Sequence, residues 1–355
     1  MALALALGRR GLGRTWPNPA VGAVIVKDGV IVGRGWTQDG GRPHAEVEAL
    51  RRAGEAARGA TLYVTLEPCS HHGKSPPCAD AVIAAGIARV VSALDDPNPE
   101  VAGQGHARLR AAGIAVDVGI GGDEARRDHA GHIFCFTKGR PHVLLKLAIS
   151  ADGKVAAAGR KPVAITGEVA RDRVHLLRAQ SDAIMVGIGT VLADDPMLNC
   201  RLSGMEKYSP VRLVADCGLR LPLGSRLVRN ARETPVWVLT GLDAPQAAEL
   251  ALSTHGVEVL RAPASAGRLD LAGALQILAG KGITRLMVEG GPTLAAAFIG
   301  AGLVDEAVLL HSATTIGPEG IDALDSAARA MLMERLKQVA SEPVGADRED
   351  RYERR

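Results

Sequence analysis

Aromatic residues are almost missing: three Phe, three Trp and three Tyr in 355 residues. So few rings exclude the stacking platforms that hold single-stranded nucleic acid, and they leave Ala, Val, Leu and Ile to fill the core. An excess of one charge is missing too, since 42 basic and 39 acidic residues leave a net charge of +3. That balance provides no electrostatic groove for a polynucleotide. It suits a small phosphorylated molecule held by a few local arginines. No apolar run reaches the length of a membrane span. Residues 1–7 are apolar, but the run is short, no basic residue precedes it and Arg9-Arg10 follows, so it reads as a first helix and not a leader. No Gly-x-Gly-x-x-Gly turn follows the first strand of the second half, which argues against an ordinary Rossmann site there. Cysteines are few and odd in number, at 69, 78, 135, 200 and 217. An odd set suits a reducing cytoplasm better than a disulfide framework.

The length allows two domains. Gly139-Arg140-Pro141 reads as a linker, giving domains at 1–139 and 140–355. In the first, residues 20–35 read as a β-hairpin turning at Lys27-Asp28-Gly29. An Ala-rich helix opens at His44, strands are expected at 60–66, 88–94 and 114–120, and helices from Cys78, over 105–112 and over 124–134. Such alternation predicts a three-layer α/β/α domain. The second half alternates again: strands at 142–149, 183–186, 211–214, 235–240, 257–260, 284–288 and 307–310 separate helical stretches, which makes it another α/β domain. From Glu342 the chain turns polar and reads as a tail or an edge element.

The chemistry concentrates in one loop, Glu67-Pro68-Cys69-Ser70-His71-His72-Gly73-Lys74-Ser75-Pro76-Pro77-Cys78, and in the upstream fragment His44-Ala45-Glu46. His44, Cys69 and Cys78 supply three zinc ligands and leave a fourth position for water, whereas a closed structural site takes four protein ligands. Zinc lowers the pKa of its water to about 7. Glu46, two residues after the ligand, can serve as general acid/base without ligating, the arrangement of the zinc nucleobase deaminases. A structural zinc site is the competing reading. His71 and His72 follow Cys69 too closely for a fourth ligand and suit loop or substrate contacts, while His106, His129 and His132 read as surface or packing residues. Two glycine turns, Gly187-Ile188-Gly189-Thr190 and Glu289-Gly290-Gly291-Pro292-Thr293, follow strands. Each could bring backbone N–H groups to a phosphate or be a plain turn.

Pro17-Asn18-Pro19-Ala20-Val21-Gly22, Pro43-His44-Ala45-Glu46, Glu67 through Cys78 and Asp96-Pro97-Asn98-Pro99 resemble the deaminase domain of the bifunctional riboflavin-biosynthesis deaminase–reductases. Eight residues separate Cys69 from Cys78, where cytidine and tRNA-adenosine deaminases have two. Leu145-Lys146-Leu147-Ala148, Asp152-Gly153-Lys154, Ile165-Thr166-Gly167, Leu177-Arg178-Ala179, 186–196 and 288–294 resemble the reductase domain of the same family, which is similar to dihydrofolate reductase in fold. The resemblance implies a cytidine-deaminase-like first domain and a second that uses NADPH. It implies deamination of 2,5-diamino-6-ribosylamino-4(3H)-pyrimidinone 5′-phosphate, then reduction of its ribosyl group to ribityl. It gives Asn18 to the pyrimidine. Ala148, Thr190, Asp194 and Gly291, Pro292, Thr293, Leu294, Ala295, Ala296 and Ala297 go to NADPH, and Arg178, Leu198, Arg201 and Glu289 to the substrate. Nucleic-acid and membrane partners are not expected, and a homo-oligomer is compatible with the chain. Pro162 and Ala164 stand where the family usually has Ser and Trp, and Cys217 where Ser is common. A deaminase with a degenerate reductase domain is therefore the alternative.

Overall fold

The computed structural model describes residues 1–71 and 76–355. His72, expected in the cysteine loop, lies outside the described residues. The chain divides into two compact units, Met1–Arg140 and Pro141–Arg355.

The first unit is built on a five-stranded sheet. Its order is Val30–Trp36, Gly22–Lys27, Thr61–Val64, Arg89–Ser92 and Ala115–Val118, antiparallel at the hairpin end and parallel at the other. Successive side chains in a strand point to opposite faces. Ala23 and Ile25 therefore join the cluster holding Ala45, Ala49 and Ala53 of the helix Ala45–Ala53, while Val24 packs with Ala4 and Leu7 of the first helix, Ala2–Gly8. Helices on both faces make the three layers. Small residues set the spacing between them. A Cβ on Gly33 would stand 2.3 Å from Ala49 O, and one on Gly35 would stand 2.1 Å from Ala45 O, so helix backbone lies directly on strand backbone.

The helix expected over 124–134 is two helices, Gly122–Asp128 and Ala130–Lys138. They break at His129, whose φ/ψ of −95°/10° leaves the helical region. Its ring is buried and meets Thr65 Oγ1 at 3.1 Å, a tertiary contact that overrides local propensity.

In the second unit seven parallel strands and a terminal antiparallel pair form one sheet. The order is Val257–Ala262, Val236–Gly241, Val211–Ala215, Ala183–Gly187, Arg285–Val288, His142–Ile149, Glu306–His311, Asp347–Arg354 and Leu336–Val344. The middle strands are buried and nearly all apolar, as parallel strands covered on both faces must be. The helix Glu168–Ala179 lays Ala170, Val174 and Leu177 on Leu144, Met287 and Val308.

Of the two readings of the segment from Glu342, the edge element holds and the tail does not. Residues 336–354 form a hairpin, and its second strand covers the edge of Glu306–His311. Alternating apolar residues did not mark it because what it buries is charge: Asp347, Glu349 and Asp350. Asp347 Oδ2 accepts the Gly167 N–H at 2.7 Å, Arg173 pairs with Glu349 at 3.2 Å, and Ser341 Oγ donates to Asp350. Ending the chain at Arg335 should therefore lower the melting temperature of the second unit by about 10 °C or more, or abolish its cooperative transition in a circular-dichroism melt. An unchanged transition would restore the tail.

Candidate active sites

The sheet of the first unit and its close-packed helix carry the metal-type side chains to one point. His44 is the extended N-cap of Ala45–Ala53. Cys69 follows the strand Thr61–Val64, and Cys78 opens the helix Cys78–Ala84, where the positive end of the helix favours a thiolate. His44 Nδ1 lies 3.3 Å from Cys78 Sγ and 3.7 Å from Cys69 Sγ. All three candidate ligand atoms fall within 4.8 Å of one another. Bond lengths of about 2.1 Å to nitrogen and 2.3 Å to sulfur around a tetrahedral ion separate such atoms by roughly 3.6 Å, so the donor set fits zinc. The Cys78 N–H, 3.3 Å from Cys69 Sγ, orients that sulfur further. The contact with Cys78 holds the Cys69 thiol down to about 4, and the same contact together with burial pushes Cys78 up. Two sulfurs sharing one proton form the kind of group in which a cation displaces that proton.

Glu46 lies buried in the first turn beside this set, and burial pushes its carboxyl up to about 7, with the nearby His44 opposing. Asn18 sits where Nδ2 donates to Gly41 O at 2.9 Å. Gly41 adopts φ +84°, and a Cβ there would stand 2.3 Å from Asn18 Nδ2, so only glycine fits. His71 is exposed.

The sequence reading gave Glu67 no role. Its buried carboxylate accepts three N–H bonds, from Asp96 at 3.0 Å, Gly103 at 2.9 Å and His106 at 3.1 Å, and so fixes the chain two residues before Cys69. An acid directly before Pro-Cys was the available signal. Glu67, Asp95 and His106 also converge, but Glu67 spends its oxygens on backbone donors. His106 and His132 are buried and paired with Asp95 and Asp96, so neither is a surface residue.

In the second unit a cavity of about 340 Å³ opens at the C-terminal ends of the parallel strands, where α/β sheets place ligands. Of the residues expected at a coenzyme, Ala148, Thr190, Asp194, Gly291 and Pro292 line it. The two glycine turns meet here, with a Cβ on Gly291 3.6 Å from Thr190 Oγ1. Thr293, Leu294, Ala296 and Ala297 continue into the helix Pro292–Gly300, and Ala295 is fully buried in its packing. The cavity and its glycine turns fit a nucleotide.

Of the expected substrate residues, Arg178 and Glu289 are brought together. Arg178 pairs with Glu289 Oε2 at 2.9 Å and donates to Asn199 O at 3.1 Å. Lys146, given no role from sequence, donates to Glu289 Oε1 at 3.1 Å. A lone lysine in the otherwise apolar stretch 143–149 was the signal. Arg201 is exposed nearby, its backbone N–H on His175 Nδ1. Leu198 is buried in the core at φ +54°, so its side chain packs and only its backbone is free to serve a ligand.

Two family models divide the chain along these lines. The one described as the cytidine and deoxycytidylate deaminase zinc-binding region matches residues 1–94, and the RibD C-terminal domain matches 141–347. The chain belongs to the RibD family. The riboflavin biosynthesis protein RibD of Escherichia coli (strain K12) is 46% identical over 331 residues, covering 90% of this chain and 88% of that protein. That of Aquifex aeolicus (strain VF5) is 43% identical over 331 residues, covering 93% and 90%. The solved Acinetobacter baumannii RibD superposes with a TM-score of 0.89 at 39% identity, covering 100% of this chain and 97% of that one. A Thermotoga maritima diaminohydroxyphosphoribosylaminopyrimidine deaminase/5-amino-6-(5-phosphoribosylamino)uracil reductase superposes at 0.85 and 34% identity, with the same coverage. As a RibD protein the chain is a bifunctional enzyme of riboflavin biosynthesis, with a zinc-binding deaminase domain and a reductase domain.

Two outcomes follow from this geometry. Cys78→Ala should weaken zinc binding by more than about tenfold, read by metal analysis after dialysis against a chelator. Retained zinc would remove Cys78 from the ligand set. Burial alone would raise the Glu289 carboxyl, but Lys146 and Arg178 overcome it and hold the group at about 2, against an ordinary 4.5. A depressed folded pKa stabilises above the unfolded value and is lost as pH falls through the folded one. That difference is worth roughly 3 kcal/mol relative to the protonated acid. The stability gap between wild type and Glu289→Gln in denaturant titrations should therefore be equal at pH 7 and pH 6 and shrink below pH 4.5. A gap that grows on acidification would contradict the assigned charge state.

Proposed function

We propose that the first unit hydrolytically deaminates 2,5-diamino-6-ribosylamino-4(3H)-pyrimidinone 5′-phosphate and that the second reduces the deaminated ribotide with NADPH. The observation that carries the first half is the meeting of His44, Cys69 and Cys78 beside a buried Glu46. His44, Cys69 and Cys78 would hold zinc, which when bound lowers the pKa of a water to near neutrality. Glu46 takes a proton from the attacking water and passes it to the ring nitrogen whose double bond to C2 opens, then carries the C2 hydroxyl proton to the exocyclic nitrogen. The exocyclic C2–N bond breaks, ammonia leaves and a carbonyl remains. A carboxyl that burial has raised toward neutrality both accepts and releases a proton there. Asn18, anchored to Gly41, would hydrogen-bond the pyrimidine.

In the second unit Ala148, Thr190, Asp194 and the 291–297 segment would hold NADPH, which supplies a hydride to C1′ of the ribosyl group. Arg201 would take the 5′-phosphate through paired N–H donors, and Arg178, held by Glu289 and Asn199 O, would add its positive charge beside it. Glu289, clamped by Lys146 and Arg178, would present a fixed carboxylate to the substrate. The substrate is a small phosphorylated pyrimidine and not a nucleic acid, in keeping with the scarce aromatics and balanced charge. Five free cysteines suit a reducing compartment such as the cytoplasm.

Zinc-loaded protein given the diaminopyrimidinone ribotide should release ammonia with or without NADPH, and should oxidise NADPH only after deamination. Glu46→Gln should keep its zinc and its melting temperature while ammonia release falls by about a hundredfold or more. Unimpaired turnover would remove Glu46 from the proton shuttle. Ammonia without NADPH oxidation would mean a deaminase whose second domain no longer reduces.

A further inference from the structure

The helix Glu168–Ala179 carries a row of bases. Arg171, His175 and Arg178 stand at i, i+4 and i+7, the spacing that aligns side chains along a helix. Two of the three are engaged by protein: Arg178 with Glu289 and Asn199 O, His175 with the Arg201 N–H. Arg171 lines the cavity, and among the described residues its guanidinium has no hydrogen bond and no ion pair. Carboxylates are within reach of the sequence but not used. Glu168 stands three positions earlier, a spacing at which helix ion pairs form, and Asp194 lines the same cavity. Neither pairs with Arg171.

Arg171 is exposed to solvent where it lines the cavity. Arg171 closes the first turn of a 12-residue helix, where the dipole is positive and repels it. Lys146, the other cation on the cavity wall, is already neutralised by Glu289. Much of the remaining wall is apolar, with Leu147, Val155, Val163, Ile165 and Ile321. A guanidinium that leaves its helix carboxylate unpaired and lines a ligand-sized cavity is available to an anionic group of a ligand.

We propose that Arg171 binds a phosphate group of a ligand in this cavity and so helps set its specificity; this rests on the reductase reading above. A guanidinium recognises phosphate oxygens through paired N–H donors. Three phosphates are available from that reading: the coenzyme's 2′-phosphate, its pyrophosphate, and the 5′-phosphate of the ribotide.

The test uses full-length, zinc-loaded wild type, Arg171→Ala and Arg171→Lys. NADPH oxidation is followed while the deaminated ribotide, NADPH and NADH (which lacks the 2′-phosphate) are titrated in turn. Coenzyme Kd is read separately by fluorescence, and ammonia release from the same samples controls for folding. Arg171→Ala should raise one KM by about tenfold or more with kcat kept, and Arg171→Lys should recover part of the loss, since the charge survives without the fork. A rise confined to NADPH identifies the 2′-phosphate, an equal rise for both coenzymes the pyrophosphate, and a rise for the ribotide alone the 5′-phosphate. Every KM and Kd staying within about twofold of wild type, or kcat falling with KM intact, would overturn the proposal. If wild type itself fails to oxidise NADPH, the reductase reading fails. Binding still decides Arg171 in that case: a coenzyme or ribotide Kd raised in Arg171→Ala supports it, and unchanged values overturn it.

Discussion

A carboxylate taken out of water must be given donors, and this fold is arranged around a few that are. Glu67 gathers three backbone N–H groups from two separate stretches and thereby pins the start of the cysteine loop. Asp182 does the same at the start of the Ala183–Gly187 strand, taking the N–H groups of Thr284 and Arg285 and the Thr284 hydroxyl. Asp347 closes the N-terminus of the helix Glu168–Ala179 from the far end of the chain. Leaving any of these unpaired would cost several kcal/mol. The pairing is therefore a strict condition on which loops can approach which strands, and the sites lie where those conditions meet.

The second constraint is steric. With few rings to fill space, the layers close by backbone contact. Gly33 and Gly35 let the helix Ala45–Ala53 settle onto the hairpin, and its alanines fill the gap. That approach, and not a large side chain, fixes the height at which His44 leaves its strand-to-helix turn. Gly105 acts similarly, since a Cβ there would stand 2.0 Å from Pro68 O. Glycine at these places is required by contact, with no need of an unusual backbone angle.

Sequence pattern made much of this legible, for reasons that differ by residue. The buried parallel strands announced themselves as apolar runs, and His44, Glu46, Cys69 and Cys78 by residue type and spacing. What stayed hidden was held by tertiary contact. The break at His129 depends on Thr65, which lies 64 positions away. The hairpin 336–354 buries carboxylates whose partners, Gly167 and Arg173, lie well over a hundred residues earlier. Leu198, a substrate residue by resemblance, has its side chain in the core, so any contact it makes runs through its backbone. Lys146 and Glu67 were visible as charges in apolar or proline-rich surroundings, but only their partners show what each holds.

The two sites also explain why one chain carries two units. Hydrolytic deamination consumes water, so its site needs a place for a water and a group that moves protons, the roles proposed for His44, Cys69, Cys78 and Glu46. Hydride transfer has the opposite need: water competes with the polar groups of the substrate for their contacts and weakens the charges that orient it. The second site answers with a largely apolar cavity whose Lys146 and Glu289 are paired, with Arg178 behind them on the same carboxylate, before any ligand arrives. A charged network that is already paired loses little when the cavity dries, and its geometry does not change. A single pocket could not both admit water to the pyrimidine C2 and withhold it from the neighbouring ribosyl carbon, so the chemistry itself calls for two surfaces.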